Sequence, residues 1–159
     1  MILPIYLYGQ PVLRKVAADI EPDYPELQEL IKNMFETMWN AEGIGLAAPQ
    51  IGVSKRIIVI DVGEGPITLI NPVIVYKKGA KQDMEGCLSV PGRQGYTHRP
   101  MHVKVEALNR DGEKVTLEGE GLLARAFCHE IDHLDGKLFI DEAVHVLTKE
   151  EIAELFDEE

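Results

Sequence analysis

The sequence contains only two cysteines, Cys87 and Cys128, and this scarcity excludes one class of protein. Two thiols among 159 residues cannot form the disulfide framework on which many small secreted domains depend. We therefore expect free thiols in a reducing compartment, the cytoplasm. The apolar stretch at residues 1–8 lacks a basic lead-in and a small-residue cleavage site, so we predict no signal peptide.

Basic residues are outnumbered, and long apolar runs are missing. Lys and Arg together number 16 against 27 Asp and Glu, which gives a formal net charge of −11. This balance argues against a protein whose main role is to bind DNA or an anionic membrane. No apolar run approaches the roughly 18 residues of a membrane-spanning helix. The length and a hydrophobic content of 45% instead predict one globular domain over residues 1–159.

Hydrophobic periodicity predicts two main helices. Apolar residues recur every three or four positions over residues 25–41, with Pro25 in the first turn and Gly43 as the stop. A second helix is expected over residues 121–134, where apolar residues occupy most sides, so it should be buried at the centre of the fold. A short third helix is predicted to begin at Thr148, where a capping box is present.

Strand-like runs lie between these helices. Runs rich in β-branched and other large apolar residues cover residues 56–62, 67–76, 102–108 and 114–117. The last two flank a polar turn and therefore predict a hairpin. Two groups of strands that flank a buried helix predict an α+β fold.

The strongest functional signal is the run His129-Glu130-Ile131-Asp132-His133 on the second predicted helix. Residues four apart lie on one helix face, so His129 and His133 converge on one point. Glu130 lies about 100° around the helix and can reach a water bound at that point. Two neutral imidazoles, an open position for water and a carboxylate that moves protons are the requirements of metal-assisted hydrolysis. Two unrelated His on a charged surface are the alternative, but this helix is largely apolar, and uncompensated polar groups are costly there.

A catalytic metal site needs a third protein ligand, and spacing alone leaves several candidates open. They are Cys87, Cys128, a carboxylate, His98, His102 and His145. Cys128 is adjacent to His129, so its side chain points about 100° away from the shared face and cannot easily reach the metal. Cys87 follows Gly86, which permits a close backbone approach and leaves room for a ligand. A small buried hydrophobe is the alternative interpretation of Cys87.

A third segment of interest is Gly-Ile-Gly-Leu-Ala-Ala-Pro-Gln at residues 43–50. Two Gly among small residues indicate a backbone that comes close to another group, although a tight connection from helix to strand would need the same residues. Gln50 is the one polar side chain in the segment with a free amide to offer a substrate oxygen.

Together the three segments resemble the signatures of the peptide deformylases, bacterial metallohydrolases that remove the N-formyl group from new polypeptides. The family patterns G-x-G-x-A-A-x-Q, E-G-C-[LI]-S and H-E-x-D-H match residues 43–50, 85–89 and 129–133, in order and spacing. One pattern alone has limited specificity, but the combination is highly specific, and the similarity extends from about Leu3 to Ile140. The resemblance implies a compact α+β fold in which antiparallel strands surround the helix that bears H-E-x-D-H.

The resemblance also implies roles for individual residues. The positions that match the family's metal ligands are Cys87, His129 and His133. Glu130 matches the general acid/base, and the Gln50 side chain and the Leu88 backbone N–H match the donors to the formyl oxygen. The positions expected to lie along the substrate are Gly43, Ile44, Gly45 and Gly86, with extended backbone pairing at Ile44 and Gly45.

For this family the metal is most often Fe²⁺, with Ni²⁺, Co²⁺ and Zn²⁺ as substitutes, and a Cys/His₂ ligand set also suits zinc. The implied reaction is hydrolysis of a nascent N-formyl-methionyl polypeptide to formate and a free amino terminus.

A methionine side chain needs a flexible apolar pocket, and Ile44, Leu122 and Ala126 are candidates for its wall. Arg125 falls near that wall by helical spacing.

Two features depart from the family pattern. Cys128 precedes His129 where Gln is usual, and we expect a packing change beside the metal, with sensitivity to oxidation, rather than loss of activity. Many family members end in a basic helix that docks on the ribosome. Here residues 141–159 form a short segment with eight acidic residues and one basic residue, Lys149. Repulsion from ribosomal RNA disfavours docking by this segment.

Two other functions are compatible with the residues alone. An H-E-x-x-H metalloprotease would take its third ligand downstream, where the candidates are Asp135, Asp141, Glu142 and His145. A non-enzymatic protein with a structural metal would close its site with four protein ligands and leave no place for water.

Overall fold

The computed structural model describes residues 1–21 and 23–157, so residues 158 and 159 of the acidic segment lie outside the described residues. Within the described part the chain forms three α-helices, which are α1 (Leu27–Asn40), α2 (Leu122–Leu134) and α3 (Lys149–Asp157). The predicted helices are present, with ends that differ by one or two residues. None of the three is long and apolar enough to cross a membrane.

Backbone conformation sets both ends of α1. Pro25 lies in a turn before the helix and not in its first turn, because Glu26 adopts a left-handed conformation (φ 59°) that an α-helix cannot contain. At the other end Glu42 (φ 57°), and not Gly43, is the left-handed residue that follows the helix. The start of α3 agrees with the prediction, since the Thr148 hydroxyl accepts a hydrogen bond from the Glu151 N–H at 3.2 Å.

Eight strands in the described residues form two sheets, and every pairing between them is antiparallel. The strands are β1 (Gly45–Ala47), β2 (Ile57–Ile60), β3 (Ile67–Lys78), β4 (Lys81–Cys87), β5 (Val90–Arg99), β6 (His102–Leu108), β7 (Lys114–Glu120) and β8 (Val146–Leu147). The larger sheet has the order β1-β2-β3-β6-β7, and the smaller has the order β4-β5-β8. The predicted hairpin is β6–β7, and the predicted α+β class is confirmed.

The hydrophobic pattern does not predict β4 or β5. Their buried side chains include Glu85, Thr97 and Arg99, which are polar or charged. At every second position a half-buried strand usually points an apolar side chain inward, but in these strands several inward side chains are polar or charged. Such residues ordinarily indicate the surface. These two strands contribute much of the site described below.

The larger sheet is covered on both faces at β2, and α2 lies at the centre of the molecule. Ile58 and Ile60 of β2 pack in the hydrophobic cluster that contains α2, whereas Ile57 and Val59 pack in the cluster that contains α1. A strand buried on both faces has a continuous apolar run, as β2 has. The buried position of α2 agrees with the prediction and carries its two His into the protein interior.

Candidate functional site

Helix α2 and strand β4 bring three potential metal ligands together. His129 and His133 lie one turn apart on α2, with ring centroids separated by 5.0 Å. Cys87 ends β4, and its Sγ lies 3.3 Å from Nε2 of His133. One ligand atom from each residue lies within 4.8 Å of the other two. In residues 1–21 and 23–157 no other group of three or more His, Cys, Asp or Glu is close enough to share an ion, which favours Cys87 among the third-ligand candidates.

The donor set fits a catalytic divalent metal. Glu85 Oε2 lies 2.6 Å from Nδ1 of His129, and a carboxylate that accepts the Nδ1–H leaves Nε2 as the ligating nitrogen. Burial lowers the pKa of His133 well below its ordinary value, which favours the neutral imidazole that a metal ligand needs. Burial also lowers the pKa of His129, but Glu130, Cys87 and Glu85 raise it well above its ordinary value, so this ring must release a proton when it binds a metal. Three protein ligands leave a fourth position for water, which is typical of catalytic rather than structural sites.

Glu130 places a carboxylate beside the ligand group without belonging to it. The side chain is buried, and its Oε1 has no hydrogen-bond partner among the described residues. Burial raises the pKa of Glu130 to about 7. A carboxyl group with a pKa near neutrality and one free oxygen is suited to accept a proton and return it.

Two glycines of the 43–50 segment permit close approaches at this site. A Cβ at Gly45 would lie 2.9 Å from Cδ of Glu130 and closer still to its Oε2. A Cβ at Gly43 would lie 2.7 Å from Cδ1 of Leu88. Because real Cβ atoms do not approach other groups this closely, the close backbone approach expected of this segment is present.

Hydrogen bonds hold the Gln50 amide in one orientation. Gln50 is buried in the 3₁₀-helix Ala48–Ile51, which directly follows β1. Its Oε1 accepts the Ala47 N–H at 2.9 Å, and its Nε2 donates to the Ser89 hydroxyl at 3.0 Å. Nε2 also lies 3.6 Å from Sγ of Cys87. The donor expected for a substrate oxygen therefore lies beside the expected metal ligand.

The N-terminal segment forms backbone hydrogen bonds with both Gln50 and Ser89. The backbone N–H of Tyr6 donates to the carbonyl of Gln50 at 2.7 Å, and that of Tyr8 donates to the carbonyl of Ser89 at 2.7 Å. One short stretch of backbone therefore ties together two segments that are far apart in the sequence.

Glu85 is a further component of the site, and it lacks a role in the motif-based interpretation. Its carboxylate accepts hydrogen bonds from Thr97 (2.9 Å), from Arg99 (2.8 and 3.1 Å) and from Arg125 (3.0 Å), in addition to its contact with His129. Burial alone would raise the pKa of Glu85, but the hydrogen bonds and charges of His129 and Arg99 lower it well below its usual range. The sequence held one signal for the role of Glu85, which was an acidic residue two positions before Cys87. Its segment becomes buried in the fold.

Cys128 packs in the hydrophobic core and does not belong to the ligand group. It is buried within the cluster around α2. Burial raises the pKa of Cys128 to about 11, so the reactive thiolate is scarce near neutral pH. This argues against the sensitivity to oxidation that its position next to His129 suggested.

Most of the residues assigned to the site line one cavity of about 400 Å³. Those residues are Gly43, Ile44, Gly45, Gln50, Gly86, Cys87, Leu88, His129 and Glu130. His133 is buried and does not line it. Helix α2 adds a neighbouring wall of Leu122, Arg125 and Ala126, which includes the residues expected near a side-chain pocket.

A Cys/His₂ ligand group with a buried carboxylate beside it, at a cavity of an α+β fold, defines the class of metal-dependent hydrolases. The family model described as Polypeptide deformylase matches residues 2–149. The chain belongs to the polypeptide deformylase family, and it is an enzyme that hydrolyses the N-formyl amide of newly made polypeptides.

Individual relatives agree with this membership. Peptide deformylase 1 of Clostridium acetobutylicum is 55% identical over 140 residues, which cover 88% of this chain and 93% of that protein. Peptide deformylase of Desulfitobacterium hafniense is 56% identical over 142 residues, which cover 89% and 95%. The solved peptide deformylase of Thermotoga maritima has a TM-score of 0.88 and 42% identity, and the match covers 91% of this chain and 99% of that chain. The family and fold expected from the three motifs are confirmed.

Proposed function

We propose that the cavity beside β1, β4 and α2 binds the formylated amino terminus of a nascent polypeptide, and that residues 1–159 act as one catalytic domain in the cytoplasm. The observation that supports this most directly is the buried, unpaired Glu130 oxygen next to the group of Cys87, His129 and His133. A formyl carbon is small, so a site crowded at Gly45 admits it and excludes bulkier acyl groups.

The proposed metal ligands are Cys87, His129 and His133, and the proposed ion is Fe²⁺, which Ni²⁺, Co²⁺ or Zn²⁺ can replace. Such an ion, when bound, polarises the formyl carbonyl and lowers the pKa of a water towards neutrality. Glu85 supports the set, because its 2.6 Å contact holds the His129 ring in the ligating tautomer.

Glu130 moves the protons of the proposed reaction. It takes a proton from the water that attacks the formyl carbon and then delivers it to the leaving amine. Gln50 Nε2 and the Leu88 backbone N–H donate hydrogen bonds to the formyl oxygen as negative charge develops on it. The backbone of Ile44 and Gly45 pairs with the substrate in extended form.

Formate release is the direct test. The chain is purified without oxygen, its metal content is measured, and formate and free amino termini are counted with formyl-Met-Ala-Ser as substrate. We expect one metal per chain and equal amounts of the two products. A metal-loaded protein that releases no formate contradicts the proposal.

Two of the four downstream ligand candidates of a metalloprotease are engaged in ion pairs elsewhere, which disfavours that function. Asp135 pairs with Arg56 at 2.9 Å, and Asp141 pairs with Arg14 at 2.6 Å. A Cys87→Ser variant with full metal affinity would support the protease. A fourth protein ligand, and no bound water, would support a structural metal.

Removal of the Ser89 hydroxyl is expected to lower kcat because it frees the Gln50 amide to rotate. In Ser89→Ala we expect a decrease of roughly 3- to 30-fold, smaller than the ~10²–10³-fold typical of losing an oxyanion donor. Gln50→Ala is the matched comparison and should show the larger loss. Wild-type kcat in Ser89→Ala, together with a large loss in Gln50→Ala, would show that Gln50 needs no anchor at Ser89.

Air is expected to inactivate the iron-loaded form faster than the nickel- or zinc-loaded form. Cys87 is partly exposed at the cavity, and a thiolate on redox-active iron is open to stepwise oxidation at sulfur. The buried Cys128 is an internal control that should stay reduced. Half-lives in air and peptide mass spectrometry measure both effects. Equal half-lives with unmodified Cys87 would contradict the prediction.

Removal of residues 147–159 is expected to cost stability rather than turnover of a short formyl-peptide. Leu147 is buried where β8 pairs with β5, and full burial of one such side chain contributes about 1.5–3 kcal/mol. The removed charges are mainly negative, so we expect no loss of ribosome binding through RNA. Thermal unfolding and ribosome co-sedimentation test this. Strong co-sedimentation that disappears on truncation would indicate that the segment binds a basic ribosomal protein.

A further inference from the structure

A buried arginine forms part of the cavity wall where an apolar side-chain pocket is expected. Leu122, Arg125 and Ala126 occupy positions i, i+3 and i+4 of α2, and all three line the cavity. Leu122 is 53% exposed, whereas Arg125 is 9% and Ala126 is 4% exposed. Leu122 therefore lies at the mouth, and Arg125 lies deeper in the wall, where its charge calls for a physical explanation.

Four of the five N–H groups of Arg125 are engaged by protein oxygens. Nη1 donates to Oε1 of Glu85 at 3.0 Å and to the Thr97 hydroxyl. Nη2 donates to the backbone carbonyl of Lys81 at 2.9 Å and to that of Thr97 at 3.4 Å. Nε has no hydrogen-bond acceptor among the described residues. The unpaired atoms of these residues that are fully buried do not include it, so part of its surface is accessible. The Nε–H is therefore an unpaired donor with some accessible surface, on a side chain that lines the cavity.

The guanidinium is also held rigidly. Its partner Glu85 is 6% exposed and is itself fixed by Arg99, whose Nη1 reaches Asp132 at 2.7 Å. Two Arg and two carboxylates therefore balance each other's charge inside the protein. A donor fixed in such a water-poor setting acts more strongly than a mobile one in solvent.

We propose that Arg125 is a specificity-determining residue whose Nε–H favours a first substrate side chain with a hydrogen-bond acceptor over a hydrocarbon of the same shape. The sulfur of methionine is a weak acceptor, and the methylene that replaces it in norleucine is not. An entirely apolar wall would favour norleucine slightly, because a methylene is the more hydrophobic group. The inference rests on the proposed function, since it assigns the Leu122–Arg125–Ala126 wall to the first side chain.

The first test uses the wild-type, metal-loaded enzyme with formyl-Met-Ala-Ser and formyl-norleucyl-Ala-Ser. We expect kcat/KM to favour the methionyl peptide by about 3- to 10-fold, the scale of one hydrogen bond. Equal values, or a preference for norleucine, would overturn the role of Arg125 and leave deformylation intact. Absence of formate from both peptides would instead contradict the proposed function itself.

The second test replaces Arg125 by Met, an unbranched apolar side chain that retains the wall. We expect the methionine preference to fall to one or below, with metal content unchanged. Calorimetry with the products Met-Ala-Ser and norleucyl-Ala-Ser should show the same change in the ratio of Kd values. Leu122→Ile is the matched control at the mouth, and it should shift both substrates by the same factor.

An equal loss for both substrates in Arg125→Met, with the preference retained, would show that Arg125 acts only through Glu85 and would overturn the proposal. If Arg125→Met does not fold, the wild-type preference decides by itself. A formyl-glutaminyl peptide adds a stronger acceptor in the same place. Its turnover should fall more in Arg125→Met than that of the norleucyl peptide, and an equal fall would count against the proposal.

Discussion

Replacing Glu130 by Gln is expected to remove nearly all formate release while the metal stays bound. The amide has the shape of the carboxyl group, but it cannot accept the proton of the attacking water. A positioned acid/base contributes about 10²–10⁴-fold, and the loss should reach the upper end because Glu130 is proposed to act twice. Steady-state kcat with formyl-Met-Ala-Ser measures the loss, and elemental analysis measures the metal.

Asp132 provides the matched control within the same motif. Its carboxylate pairs with Arg99 at 2.7 Å, so its removal should affect stability more than turnover. We expect Asp132→Asn to unfold at a lower temperature than wild type. Activity of Glu130→Gln within about tenfold of wild type, well short of the acid/base range, would remove Glu130 from the mechanism.

Substitution of Gly45 by Ala is expected to have the second large effect, through displacement of Glu130. The new Cβ would lie 2.9 Å from Cδ of Glu130, and Gly45 cannot retreat freely because it is paired with Ile60 of β2. A misplacement of about 1 Å at a reacting group can cost on the order of 10²-fold. We therefore expect kcat to fall by about that factor, with a smaller change in KM and no loss of metal.

Gly86→Ala is the control for adding a methyl group to the same cavity. Its Cβ would lie 3.5 Å from Cγ of Gln94, which is an ordinary contact, so we expect the smaller effect. A Gly45→Ala variant with a raised KM and an unchanged kcat would show that the added methyl group clashes with the substrate and not with Glu130.

The family and the reaction could be predicted from local patterns because the chemistry lies in three short segments. His129 and His133 share a helix face whatever the rest of the fold does, since helical geometry alone brings positions four apart together. The apolar character of residues 121–134 likewise predicts a buried helix, and α2 is buried. Short-range geometry is sufficient for these inferences.

The sequence by itself determined the H-E-x-D-H helix, the hairpin of β6 and β7, the α+β class and the family. Only the tertiary structure brought Cys87 to His133, at 46 residues' separation, and Gln50 to Ser89, at 39. It also decided that buried charges hold β4 and β5 to α2, and that the Gly45 backbone lies against Glu130. Periodicity reports which apolar residues become buried, whereas these contacts join polar groups across elements, and their geometry exists only once the sheets have packed around α2.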